Sequence, residues 1–200
     1  MKYLIGIDEA GRGPLAGPVA VGAVIVPSDF DWSVVAGVRD SKKLTPLQRE
    51  VWYKRISMLK NSGHLNYFVS FSSAATIDKR GIVCAIHFAL VRSLKHLGAK
   101  PDRCEVRLDG SLRAPEEFVR QRTIIHGDDI EPVISMASIM AKVSRDRLLQ
   151  RLALRFPEYD LQKHKGYGTR AHREAILHQG LSGIHRRSFC RGLLVSQKTV

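Results

Sequence analysis

The chain has 200 residues, 44% of them apolar, which suits one globular domain, and its longest apolar run, about Val19 to Val26, is far too short to span a membrane. A formal net charge of +13 favours polyanionic partners, because neutralising phosphates releases condensed counterions. Cys84, Cys104 and Cys190 are odd in number, widely spaced and without zinc-ligand spacing, and no secretory signal precedes the first apolar segment, so reduced thiols in a cytoplasmic protein are expected. Tyr3 to Ile7 and Val19 to Val26 read as strands separated by a Gly-Pro turn region. Asp40 to Thr45 reads as a loop, with Thr45 as N-cap and Pro46 as first residue of a helix running over Leu47 to Lys60. Leu65 to Ser72 is a third strand, followed by a short helix at Ala74 to Asp78 and a longer one at Gly81 to Leu97. Short strands at Glu105 to Leu108 and Gln121 to Ile125 come next. The longest helix is predicted over Ile134 to Phe156, with Ile134, Ala137, Ala141, Leu148 and Leu152 as its apolar positions. A last helix, Thr169 to Gln179, is closed by Gly180. The order predicts a mixed α/β layer fold.

Acids recur where these strands end: Asp8-Glu9 after the first, Asp109 after the fourth, Asp128-Asp129 after the fifth. Ligand sites of α/β sheets gather at strand ends, so acids from distant segments can converge there. Clustered carboxylates repel one another unless a cation lies among them. Hard oxygen ligands without a Cys/His pattern suit Mg²⁺ or Mn²⁺ rather than zinc. Each acid also has a plain turn reading, since Asp109-Gly110 is an ordinary turn dipeptide and Asp128-Asp129 after Gly127 is ambiguous. Asp8-Glu9 resists that reading, because two adjacent acids after Ile-Gly-Ile are costly unless something neutralises them. With the basic charge, the set suits two-metal phosphodiester hydrolysis.

Gly11-Arg12-Gly13 follows at once and offers bare backbone N–H groups and a cation to a polar or anionic ligand. Gly11, Gly13 and Gly17 superficially match a dinucleotide fingerprint. That motif opens a helix, whereas Pro14 and a strand follow here, and it expects its acid downstream of the glycines. From Lys163 to Arg191, Lys, Arg and His are frequent and Glu174 is the one acid, which points to nucleic acid.

These blocks resemble ribonuclease HII, the bacterial type 2 ribonuclease H, over nearly the whole chain: GIDEAGRGPLAGPV at 6–19, DSKKL at 40–44, LDG at 108–110, HGD at 126–128, ISMASIMAKVSRD at 134–146, HKGYGT at 164–169 and HRRSF at 185–189. The resemblance implies a ribonuclease H-like α/β fold: a five-stranded mixed sheet flanked by helices, its first three strands antiparallel, with a short C-terminal helical segment. It implies one catalytic domain over residues 1–200, whose basic segment from about 160 onward completes the substrate groove. The implied activity is cleavage of the RNA strand of RNA–DNA hybrids, 5′ of a ribonucleotide, and incision at single ribonucleotides in duplex DNA. Asp8, Glu9, Asp109 and Asp128 become the catalytic carboxylates holding two Mg²⁺ or Mn²⁺ ions. Gly11, Arg12 and Gly13 become the turn whose backbone recognises the 2′-hydroxyl at the RNA–DNA junction. Tyr167 becomes the ring that packs on the junction sugar. A 2′-hydroxyl both donates and accepts, and glycines let backbone reach it without a Cβ in the way; the alternative for Tyr167 is a buried core tyrosine.

By the same resemblance Lys42 and Lys142 line the substrate groove, although a solvated lysine is the usual reading of either. Lys165 and Arg186 are expected to add salt-sensitive backbone attraction. The chain departs from the family pattern at His126, where lysine is usual, and at Met136, where a small residue is common. Asp129 beside Asp128 leaves the fourth ligand contested, with Asp128 preferred for directly following Gly127. The chain stops soon after HRRSF, so a minimal C-terminal extension is expected. A cytoplasmic monomer is expected, without membrane or replication partners assigned. A resolvase- or integrase-like DNA nuclease on the same fold, or a non-catalytic nucleic-acid binding module, are the competing readings.

Overall fold

The computed structural model describes residues 1–38 and 41–195, without the side chains of residues 194 and 195; Asp40 of the DSKKL block and the last five residues of the basic segment lie outside them. Five strands form one sheet in the order β3-β2-β1-β4-β5. β1 (Tyr3–Ala10), β2 (Val19–Pro27) and β3 (Asn66–Ser72) are antiparallel neighbours. β4 (Cys104–Asp109) and β5 (Gln121–Ile124) run parallel to β1 and to each other. This is the mixed sheet expected, with its first three strands antiparallel.

Side-chain alternation along β1 divides the core. Ile5 and Ile7 face α3 (Ile82–His96), whose buried positions Ala85, Ile86, Ala89, Leu90, Ser93 and Leu94 form a single stripe at helical spacing. Leu4, Gly6 and Asp8 face α5 (Pro132–Arg155), which with α1 (Pro46–Asn61) covers the other side. Thr45 caps α1 through a reciprocal box with Gln48, as the Thr-Pro pair predicts. α2 (Ala74–Arg80) is longer than expected and is separated from α3 by Gly81, at φ 78°.

α5 lies unusually close to the sheet. A Cβ at Gly6 would stand 2.2 Å from the Val133 carbonyl oxygen, and one at Gly22 2.4 Å from that of Ala137. Gly22 is the cross-strand partner of Asp8, so the helix is pressed down beside the first acid. The C-terminal half of α5 turns its deepest stripe through Leu149 and Ala153, rather than through the Leu148 and Leu152 expected, which are only partly buried. Around that end the C-terminal region builds a third apolar cluster from Ala16, Leu149, Ala153, Tyr159, Leu161, Ile176 and Cys190. It carries α6 (Leu161–His164), α7 (Arg170–Gln179) and α8 (Arg191–Val195); α7 ends at Gly180 as read from the sequence, while Thr169, expected as its first residue, caps it instead. All three cysteines are free.

Candidate active site

β1 runs three residues beyond its predicted end, so Asp8 and Glu9 lie within the strand, and alternation sends Asp8 toward α5. Asp109 is the last residue of β4, and Asp128 sits in the one-turn helix α4 (Gly127–Ile130) that follows β5, where a loop was expected. Carboxylate oxygens of Asp8, Asp109 and Asp128 all lie within 4.8 Å of one another. Asp8 and Asp128 are each 3% exposed. The backbone N–H of Asp128 donates to Asp109 Oδ1 at 3.3 Å, joining α4 to β4. Burial pushes the Asp8 carboxyl well above the usual carboxylate range, with the charges of Glu9 and Asp109 adding to it and a Ser138 hydroxyl partly opposing it. Burial also raises Glu9, against the pull of Arg12. Three converging carboxylates from distant segments, with oxygen the only donor type, fit a hard divalent cation.

Glu9 is not part of that triangle. Its Oε1 accepts from Arg12 Nη1 at 3.1 Å, which holds it toward the glycine turn. Asp128 and Asp129 part company: Asp128 is buried in the cluster, whereas Asp129 is exposed and takes Lys43 Nζ at 2.6 Å. Lys42 Nζ bonds Asp128 Oδ2 at 2.9 Å, so this lysine, largely exposed itself, reaches a buried carboxylate of the cluster. The loop bearing both lysines docks through Ser41 Oγ and Ser138 Oγ, 2.8 Å apart, and Arg49 holds the Ser41 and Leu44 carbonyls. Lys142 bonds Asp146 one turn along α5 at 2.8 Å.

The glycine turn is shaped from beneath by two arginines. Arg186, 0% exposed, donates to the carbonyls of Gly11 at 2.7 Å, Arg12 at 2.8 Å and Gly17 at 2.9 Å. Arg145, also 0% exposed, donates to Pro18 at 2.9 Å, Lys165 at 3.0 Å and Ala16 at 3.2 Å. Gly11 has φ +89°, and a Cβ there would stand 2.0 Å from Arg145 Nε. Arg186 is therefore no surface phosphate contact, as the basic run suggested; burial excludes it. Arg145 goes unremarked in the sequence reading, yet Ala137, Ala141, Arg145, Leu149 and Ala153 recur every fourth residue of α5 and all are buried. A charge on the buried stripe was the signal.

Tyr167 is 43% exposed, which rules out a core tyrosine, and its ring lies 5.9 Å from the Arg145 guanidinium. Its loop is joined to the glycine turn, because Leu15 and Ala16 N–H groups donate to the Gly166 carbonyl. Below it, His172 Nδ1 lies 2.9 Å from the Tyr167 carbonyl and must donate, so neutral His172 accepts at Nε2. His185 Nε2, 3.2 Å away, is that donor, and its Nδ1 accepts from Ser182 N–H at 3.1 Å. Burial lowers both histidines, His185 to about 4. Neither histidine was singled out in the sequence.

A mixed sheet flanked by helices, with acids from β1, β4 and α4 meeting beside a glycine turn, defines a nuclease of the ribonuclease H class. The ribonuclease HII family model matches residues 5–192. Ribonuclease HII of Dehalococcoides mccartyi is 44% identical over 93% of this chain and 85% of its own length, and that of Fusobacterium nucleatum 42% identical over 98% and 90%. The crystal structure of ribonuclease H2 from Pyrococcus horikoshii superposes with a TM-score of 0.79 at 27% identity, covering 99% of this chain and 100% of its own. The chain belongs to the ribonuclease HII family and is a metal-dependent endoribonuclease. Among the described residues no helix is long and apolar enough to cross a membrane.

Proposed function

We propose that this protein hydrolyses the RNA strand of RNA–DNA hybrids and incises duplex DNA 5′ of embedded ribonucleotides. The observation that carries this reading is the convergence of Asp8, Asp109 and Asp128 within 4.8 Å beside the Gly11-Arg12-Gly13 turn. Asp8, Asp109 and Asp128, with Glu9 alongside, would hold two Mg²⁺ or Mn²⁺ ions. When bound, such ions supply Lewis-acid activation of water and neutralise charge building on the phosphate and the departing 3′ oxygen. Asp8 and Asp109 would anchor the pair, and Glu9 and Asp128 would orient the attacking water and assist its proton transfer.

The remaining residues select the cleavage point. Backbone N–H groups of Gly11, Arg12 and Gly13 meet the ribose 2′-hydroxyl, and Tyr167 packs on the adjoining deoxyribose, where no hydroxyl intrudes. Lys42 and Lys142 contribute phosphate contacts. The basic segment beyond residue 160, held against α5 by the third apolar cluster, completes the groove of a single catalytic domain. A cytoplasmic monomer suits free thiols and the strongly basic surface.

The test is incision of a duplex carrying one ribonucleotide, in Mg²⁺ and in Mn²⁺, against an all-DNA control. Wild type should cut 5′ of the ribonucleotide, and Asp8→Asn should lose roughly 1000-fold or more, the several kcal/mol of a metal-site contribution. Undiminished cutting by the variant would sink the proposal. Equal cutting of the all-DNA control would favour a resolvase-like enzyme.

A further inference from the structure

Arg145 and Arg186 are buried without a carboxylate within salt-bridge distance among the described residues. Their only hydrogen-bond acceptors there are six backbone carbonyls. Unpaired burial of a cation is expensive, and two neighbouring ones add mutual repulsion; burial and Arg145 together lower the Arg186 guanidinium to about 9. Apolar packing would hold two loops together without that cost. What a guanidinium does that apolar packing cannot is orient peptide planes. Three donors in a rigid fork draw three carbonyls to one point, and each carbonyl drawn inward turns the next residue's N–H the opposite way.

In the turn, the fork takes the carbonyls of Gly11 and Arg12. Those two peptide planes carry the N–H groups of Arg12 and Gly13. Neither N–H has a hydrogen-bond partner among the described residues, and both residues are exposed. These two peptides thus have their carbonyls engaged by Arg186 and their N–H groups unengaged among the described residues.

We infer that Arg186 is a specificity-positioning residue: by fixing the Gly11 and Arg12 carbonyls inward it presents the Arg12 and Gly13 N–H donors to the ribose 2′-oxygen, and so sets the preference for a ribonucleotide over a deoxyribonucleotide. This rests on the reading that the turn meets the 2′-hydroxyl. Arg145 supports the far side of the same loop and ties it to the Tyr167 segment through Lys165. Arg186 itself never touches substrate.

The experiment measures dissociation constants in EDTA, so that nothing is cut, for two duplexes differing by one 2′-hydroxyl. Wild type and Arg186→Lys are compared; lysine keeps the charge and loses the fork. Wild type should bind the ribonucleotide duplex roughly 10-fold tighter, about the worth of one or two hydrogen bonds. Arg186→Lys should bind the all-DNA duplex as wild type does and show a preference below roughly 3-fold. Equal weakening on both duplexes, or a preference that survives intact, overturns the inference. If wild type shows no preference, the 2′-hydroxyl reading fails and the inference with it, whereas a wild-type preference kept by the variant sinks the inference alone. Should Arg186→Lys not fold, amide hydrogen exchange on wild type decides. Arg12 and Gly13 amides should exchange fast in the free protein and slow on adding the ribonucleotide duplex, but not the all-DNA one. Equal protection by both duplexes, or slow exchange in the free protein, overturns it.

Discussion

Arg145 holds the Ala16 and Pro18 carbonyls in the same grip as that of Lys165, so one side chain joins segments nearly 150 residues apart. Removing it leaves three inward-facing acceptors and the volume of a long side chain. Arg145→Ala should destabilise the protein by about 3–5 kcal/mol, read as a lower denaturant midpoint. A loss below about 1 kcal/mol would show that water or neighbouring groups replace the clamp. The carboxylates were legible at this scale, because adjacent acids after an apolar run have few other uses. Arg145 and Arg186 were not: in a basic chain an arginine looks like surface, and only the every-fourth-residue stripe on α5 marks Arg145 as buried. Asp128 over Asp129 could be preferred from sequence by spacing alone; one turn of helix then points the first into the cluster and the second to Lys43.

At the level of elements, the α5–sheet contact governs the site's geometry. Gly22 lies opposite Asp8 and directly under the Ala137 carbonyl. Gly22→Ala would force α5 away from the strand that carries the first acid, at a cost of about 1–3 kcal/mol for overpacking. It should also lower catalytic rate more than duplex affinity, since it moves Asp8 relative to Ser138 while leaving the basic surface alone. A variant with unchanged rate and stability would mean the helix adjusts without disturbing β1. Strands and long helices were legible because alternation, Pro and capping residues mark them, as Thr45-Pro46 and Thr169…Gly180 show. The strand end at Ala10 was not, since two acids look like an exit until α5 is known to cover one of them. The single-turn helices α4 and α6 are too short to leave a period.

Across the whole molecule, a buried histidine pair packed on Tyr159 makes stability depend on acid. His172 and His185 are lowered by burial, His185 to about 4, so the unfolded chain binds protons that the folded one refuses. Their contribution is complete above about pH 6.5, where both states are neutral, and is lost as pH falls from there toward 4. The crowded Asp8 acts with the opposite sign in metal-free protein, because its raised value favours folding at low pH. The histidine share is therefore the difference between wild type and His185→Gln. Over that window wild type should lose on the order of 1–3 kcal/mol more than the variant, measured by denaturant titration at each pH. Parallel curves would show that the histidine pair does not carry the acid response.

The Arg186 fork has a consequence in time as well as in space. Its acceptors lie 169 to 175 residues earlier in the chain. During synthesis the three clustered acids are all present once residue 128 has emerged, but the glycine turn has no fork until residue 186 does. On the proposed roles, a nascent chain on the ribosome carries its metal-site acids well before the arginine that shapes its sugar-reading turn.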